Sequence, residues 1–289
     1  MANIVVTGTS KGIGLVTALT LARAGHTVYA TMRNPARAPE LAETAAKENL
    51  PIHVSAMDVD SDESVTSGFA AIFSKAGEID VLVNNAGIAV AGATEELSLA
   101  DFRAVMETNY FGALRCIKEV IPRMRKRRSG VIINVTSIAG KLSTSPLGAY
   151  AATKFALEAV SESLAQEMKL FDVHVAIVEP GVIDTQMANS IDEPVAPTLY
   201  PGQRRMANYF AAALRNPTPP LVVAETIQHI IESGTWQLRH PAGPEAAGAL
   251  ASRAATPDEA YIAVHGLADD NAWYDIMEQN TGMKIRPEN

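Results

Sequence analysis

The sequence predicts an α/β fold with a doubly wound parallel sheet of about seven strands and helices on both faces. Short runs of β-branched and apolar residues alternate with longer helical patterns over the first 180 residues. The strand runs are apolar along their whole length, as expected for strands that are buried on both faces. A glycine-rich turn also joins the first strand directly to the first helix.

The individual elements follow one another in this alternating order from the amino terminus. We place strands at NIVVTG, TVYATM, IHVSAMDV, IDVLVNNAG, GVIINVTS and VHVAIVEPG, which begin at residues 3, 27, 52, 79, 130 and 173. We place helices, which are rich in Ala, Leu, Glu or Lys, at residues 12–25, 36–49, 61–76, 98–108, 109–128 and 148–171. No change in composition divides this part of the chain, so we predict a single domain over residues 1–289.

The chain changes character after Pro180. Residues 184–221 hold six prolines together with a helical stretch, and we predict that they form a lid over the substrate. A further helix follows at 222–233, before the segment TWQLRHPAG. From residue 244 the tail is rich in Ala and Gly, and we predict that 244–289 form a C-terminal extension packed on the same domain.

The composition excludes several classes of protein. The 289 residues are 47% hydrophobic and carry a net charge of −8, which disfavours binding to nucleic acid or to anionic membranes through bulk charge. The single cysteine, Cys116, allows no intrachain disulfide. We find neither a signal-peptide pattern nor an apolar run long enough to span a bilayer, and we assign no metal site. We therefore expect a cytoplasmic protein.

A glycine-rich turn, TGTSKGIG, covers residues 7–14 between the first strand and the first helix. Backbone amides and the helix dipole can hold a pyrophosphate at such a turn. Gly8 permits the tight turn, Gly12 lets the backbone approach phosphate, and Gly14 lets the helix pack on the sheet. The spacing is G-x-x-x-G-x-G, which differs from the usual G-x-G-x-x-G pattern of dinucleotide-binding proteins.

The same turn contains GTSKG, which matches the G-x-S-x-G elbow of α/β-hydrolases. A hydrolase elbow normally follows several strands, whereas this one follows the first. Nothing singles out one of the downstream histidines, His174, His229, His240 and His265, as a catalytic partner. The hydrolase alternative is therefore disfavoured.

The end of the second strand indicates which dinucleotide binds. An acidic residue there would bind the adenosine ribose hydroxyls and favour NAD(H). The chain instead reads YATMRNP, so Arg33 follows Met32 and no carboxylate is present. Arg33 and Lys11 can both reach a 2′-phosphate, and we predict NADP(H) over NAD(H). The alternative is that both cations are simply exposed to solvent.

Tyr150 and Lys154 lie four residues apart in YAATK, near the start of the predicted helix at 148–171. Residues at this spacing share one helix face, so a phenol and an ammonium are held side by side. A fixed cation favours the phenolate and lowers the pKa of a tyrosine. The pair therefore suggests a general acid and base, although many solvated helix faces carry the same two residues.

Six motifs occur in a specific order along the chain. They are TGTSKGIG at 7–14, NNAG at 84–87, Asn109 in ETNYFG, Ser137 in NVTSIAG, YAATK at 150–154 and EPGVIDT at 179–185. Together they resemble the compact, single-domain branch of the short-chain dehydrogenase/reductase family, which has a Rossmann-like fold. The resemblance is dense over residues 2–185. Within the family, the chain looks most like the 17-beta-hydroxysteroid and retinol dehydrogenases and their bacterial relatives.

The resemblance implies a role for each of four catalytic residues. Tyr150 would be the general acid in reduction and the base in oxidation. Lys154 would lower the pKa of Tyr150 and bind the nicotinamide ribose, and Ser137 would hydrogen-bond the substrate oxygen. Asn109 would hold a helix kink and a water molecule that relays protons to Lys154.

The resemblance also implies a set of cofactor-binding residues. Asp58 and Val59 would lie near the adenine, and Thr185 and Val182 near the nicotinamide carboxamide. The complete set is Gly8, Ser10, Lys11, Gly12, Ile13, Gly14, Arg33, Asp58, Val59, Asn85, Ala86, Gly87, Tyr150, Lys154, Pro180, Gly181, Val182 and Thr185.

We therefore expect an NADP(H)-dependent oxidoreductase that interconverts a hydrophobic ketone or aldehyde and an alcohol. An apolar pocket would be supplied by the lid residues Met187, Leu199, Tyr200, Met206, Tyr209 and Phe210, unless these only form the buried face of a helix. The alternatives are a non-catalytic NADP(H) sensor or scaffold, expected to lose the Tyr or the Lys, and an epimerase or dehydratase, disfavoured by the glycine spacing. The resemblance further implies a homodimer or homotetramer.

Overall fold

A computed structural model describes residues 1–191 and 198–287. Its centre is a parallel sheet of seven strands in the order β3-β2-β1-β4-β5-β6-β7. The strands are β1 Asn3–Thr7, β2 Thr27–Met32, β3 Ile52–Ala56, β4 Val81–Asn84, β5 Gly130–Val135, β6 Val173–Pro180 and β7 Arg239–Ala242. The predicted sheet is confirmed.

Helices cover both faces of the sheet. They are α1 Gly12–Arg23, α2 Glu40–Glu48, α3 Asp62–Ala76, α4 Leu99–Met106, α5 Gly112–Arg127, α6 Gly148–Lys169, α7 Gln186–Asn189, α8 Gly202–Leu214, α9 Leu221–Ser233, α10 Ala246–Ala255, α11 Asp258–His265 and α12 Asp270–Thr281. Within the described ranges, no helix has the length and apolar content that crossing a lipid bilayer requires.

Two apolar cores result from the alternation of side chains along the strands. Ile4 and Val6 of β1 point to one face, where they pack with residues of α1, α2 and α9. Val5 points to the opposite face, where α3, α5 and α6 supply residues such as Phe69 and Val120. The central strands are therefore buried on both sides, whereas the edge strand β3 is only partly buried.

The order of the strands reverses between β1 and β4. From β1 the chain first runs outward through β2 and β3, and it then returns to place β4 on the other side of β1. In such sheets ligands bind in the crevice outside the carboxyl ends of the strands at this point. The glycine turn after β1 and the NNAG segment after β4 both lie there.

Three local differences from the predicted helices have physical causes. Residues 36–49 do not form one helix, because a 3₁₀ turn at Pro35–Arg37 precedes α2. The helices expected at 98–108 and 109–128 are continuous through a π-helical turn at Glu107–Phe111, which holds one extra residue. The tail after residue 244 folds into α10, α11 and α12 rather than an irregular extension.

A third, smaller apolar cluster ties the C-terminal extension to α8. Trp273 and Tyr274 of α12 are buried against Ala212, and Ile285 completes the cluster. Asn208 Nδ2 donates to the Tyr274 hydroxyl at 2.6 Å. These contacts hold α8 and the extension together at the carboxyl edge of the sheet.

Candidate active site

The glycine turn brings three backbone segments closer together than side chains would allow. Gly8 and Gly12 have φ angles of +70° and +57°. A Cβ atom on Gly8 would lie 2.7 Å from the Cα of Ala86, and one on Gly14 would lie 2.4 Å from the carbonyl oxygen of Gly8. The turn therefore requires glycine at these positions, and it leaves the amino end of α1 facing the crevice.

Asn85 and Thr7 hold this turn in place. The Asn85 side-chain amide donates to the carbonyl oxygens of Thr7 at 2.9 Å and of Gly8 at 3.2 Å. The Thr7 hydroxyl accepts the backbone amides of Asn85 and Ala86, each at 3.0 Å. The Asn85 side chain thus fixes the phosphate-binding turn, in addition to lining the crevice as the resemblance implied.

The two cations expected at a 2′-phosphate occupy different surroundings. Arg33 is exposed at the end of β2 and lies at the rim of the crevice. Lys11 also lines the crevice, but its ammonium donates to Oε1 of Gln186 on α7. Asp58 and Val59 line the crevice after β3, where the Asp58 amide donates to the Ser64 hydroxyl at 2.9 Å.

Tyr150, Lys154 and Ser137 meet at the carboxyl ends of β5 and β6. Tyr150 and Lys154 lie one turn apart on α6, and the Lys154 ammonium is 5.6 Å from the centre of the Tyr150 ring. That ammonium also donates to the carbonyl oxygen of Val135 at 3.0 Å. The Ser137 hydroxyl donates to the carbonyl oxygen of Pro180 at 3.4 Å and accepts the Ala139 amide at 3.1 Å, and it lines the same cavity as Tyr150. The structure thus brings the three predicted residues together.

Burial controls the protonation of this pair. It raises the pKa of Tyr150 to about 12, although the Ser137 side chain acts in the opposite direction. It also lowers the pKa of Lys154 to about 8, against the favourable charge of Glu158. Desolvation is therefore the largest influence on Tyr150 in the chain alone, and the expectation that Lys154 lowers this pKa stays a prediction. Tyr150 therefore holds its proton at neutral pH.

Asn109 lies in the π-helical turn and connects three elements. Its Oδ1 accepts the backbone amide of Ile88 at 2.8 Å. Its Nδ2 donates to the Ile88 carbonyl at 2.9 Å and to the Thr153 hydroxyl at 3.0 Å. Thr153 in turn donates to the carbonyl oxygen of Tyr150 at 2.7 Å. The side chain of Asn109 thus fixes the start of α6 relative to the loop after β4.

A cavity of about 920 Å³ extends from the glycine turn to Ser137, Tyr150 and Lys154. It continues under the C-terminal extension. Four of the lid residues predicted to line a pocket do so, namely Met187, Met206, Tyr209 and Phe210. The other two assignments are wrong. Leu199 is 93% exposed, and the Tyr200 hydroxyl bonds to Glu95 at the surface.

Sequence reasoning missed the part of the cavity wall that the C-terminal extension supplies. Glu245, immediately before α10, accepts the backbone amide of Val182 at 2.5 Å. Arg253, Tyr261 and Trp273 line the cavity further along. No pattern in the Ala- and Gly-rich tail marked these residues. They reach the cavity because α10, α11 and α12 fold back over the site, which is a tertiary contact.

A buried group of acids lies behind Lys154. The Arg239 guanidinium donates to Glu158 Oε2 at 2.9 Å and to Glu162 Oε2 at 2.6 Å, and its Nε is 3.9 Å from Glu179 Oε1. Glu158 also accepts the Thr136 hydroxyl at 2.8 Å. Burial, with the charge of Glu158 acting in the same direction, raises the pKa of Glu179 to about 7.

The raised pKa of Glu179 predicts that the free energy of unfolding decreases as the pH rises. Between pH 4.5 and 7 the folded chain retains a proton on Glu179 that the unfolded chain has lost, so stability falls as the pH rises through this window. We expect Glu179→Gln to match the wild type at low pH and to be more stable by about 1–3 kcal/mol at high pH. Urea denaturation across the pH range measures this difference.

Glu162→Gln is the matched control for Glu179→Gln. Glu162 contacts the same arginine but is largely exposed, and the hydrogen bond from Arg239 lowers its pKa. Its removal should therefore cost stability at neutral pH rather than add it. A stability difference between Glu179→Gln and wild type that does not change with pH would refute the raised pKa.

The chain was compared with known families and proteins. The model of the family described as short chain dehydrogenase matches residues 2–196. Retinol dehydrogenase 8 from Bos taurus is 42% identical over 204 residues, which cover 69% of this chain and 64% of the bovine protein. The match therefore spans less than two thirds of that relative's length.

Two solved structures extend the comparison to the whole fold. A short-chain dehydrogenase from Streptomyces avermitilis has a TM-score of 0.77 at 29% identity, over 97% of this chain and 98% of that one. A substituted form of actinorhodin polyketide ketoreductase, solved with NADPH, has a TM-score of 0.74 at 27% identity, over 83% of this chain and 95% of that one. The family match, the shared fold and the site geometry agree, and the chain belongs to the short-chain dehydrogenase/reductase family of oxidoreductases.

Proposed function

We propose that the protein is an NADP(H)-dependent oxidoreductase that interconverts a hydrophobic ketone or aldehyde and the corresponding alcohol. One observation carries this proposal. Ser137, Tyr150 and Lys154 line the same cavity as the glycine turn at residues 8–14. A proton donor is thus placed in one enclosed space with a turn suited to a dinucleotide.

The glycine turn fits a nicotinamide dinucleotide on geometric grounds. Side chains at Gly8 and Gly14 would clash with the neighbouring backbone, and no acidic residue lies in the first turn of α1 to repel a phosphate. Arg33 at the rim supports a 2′-phosphate, and the related ketoreductase was solved with NADPH. When bound, this cofactor supplies the hydride, while the protein orients and protonates.

Tyr150 and Ser137 act on the substrate oxygen. In reduction, Tyr150 donates its proton to the oxygen as negative charge develops there, and Ser137 donates a second hydrogen bond. In oxidation, Tyr150 removes the proton from the alcohol, which requires the phenolate. The buried Lys154 ammonium opposes the cost of that phenolate. Asn109 holds α6 so that Tyr150 faces the cavity.

The walls of the cavity favour an apolar substrate. Met206, Tyr209, Phe210 and Trp273 line it from α8 and α12. The relative with 42% identity is named for retinol, a hydrophobic alcohol. We infer that the segment 184–221, of which residues 192–197 lie outside the described ranges, acts as a lid. We also infer that the extension after residue 244 completes the substrate pocket.

A homodimer or homotetramer is part of the proposal. Phe111, next to α5, is 45% exposed, and Phe155 on α6 is 43% exposed. We infer that these exposed aromatic side chains belong to surfaces that a second subunit covers.

Cofactor preference provides the experiment that tests this proposal. Arg33→Ala removes the guanidinium that would bind the 2′-phosphate. A charge-assisted hydrogen bond is worth about 1.5–3 kcal/mol, so the Michaelis constant for NADPH should rise by roughly 10- to 100-fold. The Michaelis constant for NADH should stay the same.

Arg37→Ala is the matched control, because Arg37 is an exposed arginine four residues further along. It should leave both Michaelis constants unchanged. An equal preference for NADPH in the wild type and in Arg33→Ala would refute the assignment of Arg33 to the 2′-phosphate.

A further inference from the structure

One face of α10 runs along the cavity from the catalytic end to the far end. The residues on this face are Glu245, Gly248, Ala249, Ser252, Arg253 and Thr256. Glu245 contacts Val182, beside the segment assigned to the nicotinamide. Arg253 lies eight residues later, which corresponds to about 12 Å along a helix. Gly248 and Ala249 lie between them, so α10 leaves room for a ligand over that distance.

The end of the cavity near Arg253, here called the far end, carries positive charge. The Arg253 guanidinium lies 4.5 Å from the centre of the Tyr261 ring, and that ring is tilted against the His265 ring with their centres 4.3 Å apart. Burial and the charge of Arg205 together lower the His265 pKa. Arg253, Tyr261 and His265 line the cavity, whereas Arg205 does not. The far end thus has one arginine in the cavity wall and the charge of a second one nearby.

The Arg205 guanidinium is buried, and only some of its hydrogen-bond donors have a partner. Its side chain is 2% exposed, and its Nε donates to Asp270 at 2.8 Å. Its Nη1 and Nη2 atoms have no hydrogen-bond partner among residues 1–191 and 198–287. Arg205 does not line the cavity, but its guanidinium lies 5.5 Å from the centre of the Trp273 ring, which does, so its charge favours an anion at this end of the cavity without touching it.

The acids near the far end do not balance the cations. Asp270 is shared between Arg204 and Arg205. Arg253 pairs with Asp258, whose side chain is 76% exposed, so this pair is screened by solvent. Glu245 places negative charge at the opposite, catalytic end. The cavity is therefore polarised along its length, and an anion is favoured only at the far end.

We propose that the enzyme selects a carbonyl compound whose apolar body ends in a carboxylate. The carbonyl lies at Tyr150, the body lies along α10, and the carboxylate lies at Arg253, with the charge of the buried Arg205 nearby. This inference rests on the proposed function, and it adds the substrate class and its orientation.

The first test compares a long-chain methyl ketone that ends in a carboxylate with its methyl ester. In the wild type we expect kcat/KM for the acid to exceed that for the ester by roughly 100-fold, as for other sites built around a polar group. In Arg253→Gln the ratio should fall to near one, and Arg253→Lys should restore part of it. The control Arg128→Gln removes an exposed arginine paired with Asp172, and it should leave the ratio unchanged.

Equal kcat/KM for acid and ester in the wild type, or an undiminished preference for the acid in Arg253→Gln, would overturn the inference. A binding measurement separates this outcome from failure of the proposed function. Isothermal titration with decanoate and with methyl decanoate needs no turnover. Tighter binding of decanoate that weakens in Arg253→Gln would support the carboxylate site even if no ketone were reduced, and equal binding would refute it.

Gly248 offers a second, independent test of the orientation. A Cβ atom at this position would meet no heavy atom within 4 Å, so a larger side chain there projects into the cavity without a clash. Gly248→Leu should lower kcat/KM for the long keto acid by at least about tenfold relative to a short ketone. Gly248→Ala, which also favours the helix, should not. An equal effect of Gly248→Leu on long and short ketones would contradict a substrate lying along α10.

Discussion

Replacing Tyr150 by Phe is expected to lower kcat for carbonyl reduction by about 100- to 10,000-fold, the range that general acids contribute. The substitution removes one hydroxyl and keeps the ring. The phenol holds its proton at neutral pH because burial raises its pKa to about 12. The loss should therefore reflect the missing proton donor and the missing hydrogen bond to the substrate oxygen. Steady-state kinetics at saturating NADPH measure it.

Tyr200→Phe is the matched control for this substitution. Tyr200 carries the same phenol, but its hydroxyl bonds to Glu95 at the surface, away from the cavity. It should leave kcat unchanged, while NADPH binding should persist in both variants. Retention of more than about a tenth of the wild-type kcat in Tyr150→Phe would remove Tyr150 from the role of general acid.

Replacing Arg239 by Met is expected to destabilise the protein by about 3 kcal/mol, because the buried Glu158 carboxylate loses its hydrogen-bonded cation. Glu158 and Glu179 are 3% and 2% exposed, and both lie within 4 Å of the Arg239 guanidinium. The apolar Met side chain conserves much of the volume, so the cost is electrostatic. Urea denaturation at neutral pH measures the free energy of unfolding.

An exposed ion pair is the appropriate comparison for this prediction. Arg128 and Asp172 are 56% and 60% exposed, so Arg128→Met should cost less than about 1 kcal/mol. Adding Glu179→Gln to Arg239→Met should recover stability only at a pH above the raised pKa of Glu179, where its carboxylate is charged. A loss in Arg239→Met no larger than that in Arg128→Met would contradict a buried cluster of charge.

The sequence predicted the sheet and the proximity of Tyr150 to Lys154 because both follow from local patterns. Fully apolar strand runs require helices on both faces, and a glycine turn after the first strand places the site at its carboxyl end. The spacing of Tyr150 and Lys154 sets their shared helix face without any tertiary information.

The remaining features depend on tertiary contacts that no local pattern carries. The π-helical turn at Glu107–Phe111 holds one extra residue within a continuous helix. No residue type in this turn distinguishes it from an α-helix in the sequence. The cavity face of α10 holds small and polar residues, so no apolar stripe marked it. The pKa of Tyr150 depends on how deeply the folded chain buries the phenol, which opposes the effect expected from Lys154 alone.

Isotope labelling tests whether the protein transfers a hydride from NADPH to a ketone. The protein would be incubated with a long-chain ketone and NADPH that carries deuterium at the reactive nicotinamide carbon, with Tyr150→Phe as the comparison. We expect deuterium at the carbinol carbon of the alcohol product in the wild type, and a rate lower by about 100-fold or more in Tyr150→Phe. Tight NADPH binding with no labelled alcohol from any ketone tested would contradict the proposal and favour a non-catalytic NADP(H) sensor.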